Sequence, residues 1–80
     1  MPPWRYQGYD PPESFLSALT PKENQVAQRI ARGWANREIG LDLSISVKTV
    51  KTHLGNIYVK FGRSSRMALA YYLWSRGIGV

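Results

Sequence analysis

From Thr20 onward, apolar residues recur every three or four positions in four stretches, each opened by a side chain able to cap a helix: Thr20, Asn36, Ser46 and Ser65. Three of the stretches close on a glycine: Gly33, Gly62 and Gly77. That period belongs to helices, and no stretch alternates with period two, so the chain is expected to be all-α. Thr20-Pro21-Lys22-Glu23 carries a cap hydroxyl, a proline at the first helical position and a glutamate at the third, which together form a capping box. The helix it opens places Val26, Ala27, Ile30 and Ala31 on one face and stops at Gly33. Asn36 is expected to cap a short helix over Arg37 to Leu43, and Ser44-Ile45 to make a tight turn. Ser46 then caps a helix running to about Phe61, and Ser65 caps the last, Arg66 to Arg76.

The chain has 80 residues, enough for one small domain that buries roughly 60% of its unfolded surface. With no Cys and a single histidine, His53, it lacks disulfides, thiolate metal sites and cysteine nucleophiles, and no metal or cofactor is expected. The longest apolar run, Met67 to Trp74, is far shorter than the roughly 20 residues of a membrane span. No apolar leader follows Met1, so the expected location is cytoplasmic, with no membrane partner. The first dozen residues hold four of the five prolines and show little period. Residues 1–13 therefore read as an irregular arm, with Trp4, Tyr6 and Tyr9 available to dock on a neighbour, and residues 14–80 as the domain.

The net charge of +6 is unevenly placed. Residues 1–42 hold five bases and five acids, whereas residues 43–80 hold Lys48, Lys51, Lys60, Arg63, Arg66 and Arg76 and no acid. That asymmetry predicts a polyanionic partner for the C-terminal half. Two short helices joined by a turn, the second longer and basic, are the parts of a helix-turn-helix. At 100° per residue, Val47, Val50, Leu54, Ile57 and Phe61 share one stripe of the third helix, which the core must take. The opposite side presents Lys48, Lys51, Thr52, Gly55, Asn56 and Val59. Lysine can donate to guanine, an asparagine amide can pair with adenine, and a threonine methyl can touch thymine, so this face suits a major groove. Gly55 reads equally well as a point of close approach to DNA or as a weak point in the helix. Asn36 and Arg66, each at the start of a helix, can also meet phosphate.

Thr20 to Gly77 resembles the DNA-binding domain of the LuxR-type transcription regulators, which also ends many two-component response regulators. The resemblance rests on Leu19-Thr20-Pro21-Lys22-Glu23, on Gly33 with Asn36-Arg37-Glu38-Ile39, and on Ser65-Arg66 with Gly77. Its most specific string is Ile45-Ser46-Val47-Lys48-Thr49-Val50-Lys51-Thr52-His53-Leu54, followed by Asn56-Ile57 and Lys60. It implies a four-helix bundle whose third helix enters the major groove of double-stranded DNA and whose fourth mediates dimerisation. By position, Lys51, Thr52 and Gly55 would lie nearest base edges, with Ser46, Thr49 and Lys60 nearer phosphates. The chain departs from the family pattern at Leu69 and Leu73, where small alanines are usual, and at Gly40 and Leu41. The usual N-terminal sensing domain is missing from these residues, which leaves an excised piece or a stand-alone regulator, and the Met1 start favours the second.

The fourth helix carries two apolar stripes. Leu69 and Leu73, flanked by Ala70 and Tyr72, form one, and Met67, Tyr71, Trp74 and Ile78 form the other. One completes the core and the other needs cover; the resemblance favours the second as the seam of a homodimer. His53 borders the core stripe, where a structural or phosphate-facing role outweighs catalysis, and no enzymatic activity is expected. Trp34, in a loop, is expected to cap the core. Two rival readings stay open: the fourth region of a sigma factor, and an adaptor whose basic face meets an acidic protein such as RNA polymerase.

Overall fold

The computed structural model describes residues 18–79, which form four helices and, among the described residues, no strand. They are α1 (Pro21–Ala31), α2 (Asn36–Leu43), α3 (Val47–Phe61) and α4 (Arg66–Ser75). The arm over residues 1–13, with Trp4, Tyr6 and Tyr9, lies outside the described residues.

The caps fix where each helix begins. The N–H of Glu23 donates to the Thr20 hydroxyl at 3.1 Å, and the N–H of Thr20 donates to the Glu23 carboxylate at 3.0 Å, closing the expected box. Ser46 and Ser65 receive the N–H groups of Thr49 and Ala68 at 3.0 and 3.1 Å. Each such cap satisfies one orphan donor and contributes about 1 kcal/mol. Asn36 departs from expectation. The cap residue is Ala35, whose N–H donates to the Glu38 carboxylate at 2.7 Å, and Asn36 is the first helical residue. Its side-chain oxygen accepts instead from Arg66, at 2.6 Å.

The turn between α2 and α3 is tight. Ser44 takes a left-handed conformation (φ 59°), and the N–H of Ile45 donates back to the Gly40 carbonyl at 2.9 Å. A β-carbon on Gly40 would sit 2.7 Å from the Ile45 carbonyl oxygen, so the glycine lets the turn close directly onto α2.

The core gathers Val26, Ala27, Ile30 and Ala31 of α1, Ile39 of α2, Val50, Leu54 and Ile57 of α3, and Leu69 and Leu73 of α4. α1 packs against both α3 and α4, and α2 against α3. Leu69 and Leu73 are fully buried, so the large side chains that mark this sequence supply core volume, each about 1.5–3 kcal/mol of burial. Two expectations need correction. Val47, assigned to the core stripe, is 39% exposed at the first position of α3, and the core takes the helix only from Val50 on. Ile78, assigned to the exposed stripe of the last helix, is buried. The helix stops at Ser75 with Arg76 as its cap, Gly77 takes φ 80°, and the Ile78 N–H bonds back to the Leu73 carbonyl at 2.9 Å. That reversal turns Ile78 inward and lays Gly79 against Ala31 of α1.

Candidate nucleic-acid interface

Because Val50, Leu54 and Ile57 face the core, the helical period sends the opposite side of α3 outward. Lys48, Lys51, Thr52 and Asn56 are exposed there, Gly55 is half-buried, and Val59 is among the most exposed apolar residues. The Thr52 hydroxyl donates to the Lys48 carbonyl at 3.1 Å, which leaves its methyl group and its oxygen, as an acceptor, to meet a neighbour. A β-carbon on Gly55 would meet nothing within 4 Å, so no contact inside the molecule demands a glycine there.

The electrostatics of this face follow from where the acids lie. Among the described residues the acids are Glu23, Glu38 and Asp42, and each is engaged within the fold. Asp42 pairs with Arg29 at 2.7 Å, Glu38 caps α2, and Glu23 pairs with Lys60 at 2.6 Å. No acid stands in the first turn of α3, where the helix dipole already favours an anion. Among the described residues, Lys48 and Lys51 form no ion pair, so their charge projects outward uncompensated.

The residues assigned to phosphate divide in the fold. Ser46 and Thr49 join their hydroxyls at 2.9 Å around the N-terminus of α3. Asn36 and Arg66 are bonded to each other, and the Arg66 guanidinium also donates to the Trp34 carbonyl at 2.5 Å. Lys60 already holds an internal partner, because its ammonium bonds the carboxylate of Glu23. Burial pushes the Glu23 carboxyl up; the hydrogen bond from Lys60, the N–H of Thr20, the Lys60 charge and the nearby Asn56 amide outweigh it and hold the group below the usual glutamate value.

Glu23 is therefore the residue whose reach the sequence did not disclose. Its spacing from Thr20 announces a cap, but its partner on α3 lies 37 positions away, and only the packing of α1 on α3 joins them. Trp34 packs against the core as expected, with the Arg29 guanidinium 5.6 Å from its ring centre. His53 is half-buried, and its enclosed Nδ1 has no hydrogen-bond partner among the described residues. On α4, Met67 and Tyr71 are 73% and 71% exposed, while Trp74 is partly covered and donates its indole N–H to the Ala31 carbonyl.

Residues 17–73 match the bacterial regulatory proteins of the luxR family. The chain is similar to the transcriptional regulatory protein LiaR of Bacillus subtilis, 46% identical over 55 residues, which are 69% of this chain and 26% of that protein. It is also similar to the transcriptional regulatory protein UhpA of Salmonella typhimurium, 41% identical over 56 residues, which are 70% of this chain and 29% of that protein. The matched segments span between 8% and 30% of the length of such curated relatives. Among the described residues no helix is long and apolar enough to cross a membrane.

Proposed function

Because the chain belongs to the luxR family of bacterial regulatory proteins, we propose that it regulates transcription by reading the major groove of specific double-stranded DNA with α3. The observation that carries this reading is the outward face of α3. It combines Lys48 and Lys51, which no acid among the described residues pairs, with the Thr52 side chain, a small Gly55 and the Asn56 amide, which stands beside Glu23. In this reading Lys48, Lys51, Thr52, Gly55 and Asn56 meet base edges and supply sequence preference. Backbone contacts come from the helix N-terminus around Ser46 and Thr49 and from the Asn36–Arg66 pair.

Two copies pair through the exposed face of α4 formed by Met67, Tyr71 and Trp74. A two-fold pairing of this stripe is self-complementary and sets two α3 helices on one side of the duplex, about one helical turn apart. Selection from a pool of random duplexes tests the reading. It should enrich one motif, arranged as inverted half-sites, with affinity that falls steeply as salt rises. Equal recovery of all sequences would leave only general attraction to polyanions and reject it.

A further inference from the structure

Lys48, Lys51 and Lys60 all belong to α3, yet among the described residues only Lys60 pairs with an acid. Its partner is the one buried charged residue among the described residues: Glu23 is 4% exposed, and the carboxylate and ammonium are 2.6 Å apart. The Lys60 side chain is itself 35% exposed, so the ammonium sits where the interior meets solvent. We propose that Glu23 withholds Lys60 from the DNA backbone, so that α3 meets the duplex with a restricted number of cations and limited sequence-independent affinity.

This inference rests on the reading that α3 faces DNA. The physical reason is a competition. A phosphate offers Lys60 a contact screened by salt and open to water. Leaving Glu23 would strand a buried carboxylate, which costs more than one such contact returns. The N–H of Thr20 donates to the same carboxylate oxygen that Lys60 bonds, and this half of the capping box holds Glu23 at the start of α1, so it cannot follow Lys60 outward. The pair therefore behaves as one neutral unit beside a helix that is otherwise purely cationic. Lys48 and Lys51, which lack any such tether, remain available.

The test is the salt dependence of binding to a mixed-sequence duplex, measured for the wild type, Glu23→Gln and the double variant Glu23→Gln/Lys60→Gln. Each phosphate neutralised adds about 0.9 to the slope of log K against log salt. Glu23→Gln frees Lys60 and should steepen the slope by about that amount per protomer, which is roughly a further 3.5-fold loss of affinity between 50 and 200 mM salt. The double variant replaces one neutral pair by another and should keep the wild-type slope. Thermal melting confirms that each variant is folded. A double variant whose slope flattens by about 0.9 would show that Lys60 already contacts phosphate, and would overturn the proposal. An unchanged slope in folded Glu23→Gln would overturn it too, by showing that Lys60 lies beyond reach of the duplex. If Glu23→Gln does not fold, a flattened slope in the double variant still overturns the proposal, and Glu23→Ala takes the place of the single variant with the same two outcomes. A wild type with no salt-dependent duplex binding would instead reject the DNA-binding reading itself.

Discussion

The guanidinium of Arg66, the first residue of α4, donates to the side-chain oxygen of Asn36, the first residue of α2, across 2.6 Å. A second bond from the same guanidinium to the Trp34 carbonyl makes the contact a fork that ties together the starts of two helices thirty residues apart in sequence. Hydrogen bonds from a charged group contribute about 1.5–3 kcal/mol, and only a planar fork can make both. Arg66→Ala should therefore lower unfolding free energy by about that much in urea. Arg66→Lys should recover little of the loss, although the charge is kept; a lysine variant as stable as the wild type would refute the fork.

Lys51 and the phosphate-facing residues differ in what their loss should do. Lys51→Ala should weaken binding to the selected motif by about 1–3 kcal/mol and relax base preference beside it, with a smaller loss on random duplex. Titrations of both duplexes at one salt concentration check this, and equal losses would move Lys51 to the backbone.

Gly55 has open space around it, so Gly55→Ala should stabilise α3 by about 0.5–1 kcal/mol. If α3 approaches the bases closely at this point, the same methyl group should lower affinity for the selected motif. Higher melting temperature with weaker binding is the expected result. Higher melting temperature with unchanged binding would mark Gly55 as a helix weak point only.

The Glu23 carboxyl titrates below its usual range in the fold, so its contribution to stability is present above the unfolded-state value and is lost as pH falls through the folded one. Stability should decline below about pH 5 in the wild type, and Glu23→Gln should decline less steeply there while starting from a lower plateau. Parallel melting curves across that range check both parts, and identical acid limbs would show that other carboxylates govern it.

Tyr71 lies on the exposed stripe of α4, away from Leu69 and Leu73, so a charge there costs the monomer little. Tyr71→Glu should melt within about 0.5 kcal/mol of the wild type yet lose cooperative filling of paired half-sites. Retained cooperativity would remove this stripe from the dimer seam.

Most of the fold is local information. Thr20, Ser46 and Ser65 cap their helices as their neighbours predict, and Gly33, Gly62 and Gly77 adopt positive φ beyond the helix ends. The outward face of α3 was legible because a period of 3.6 residues and an apolar stripe fix which side is left over. Tertiary structure decided what capping and periodicity do not encode. Asn36 has the chemistry of a cap, but it stands one position inside the helix and bonds Arg66, while Glu38 reaches back to the Ala35 N–H. Ile78 extends the exposed stripe only if α4 continues; the chain turns at Gly77 and buries it. Lys60 reads as one more cation on a basic helix until α1 brings Glu23 to within 2.6 Å. Helical order is written in residues three or four apart, whereas the partner of a charged side chain depends on which segments the core draws together.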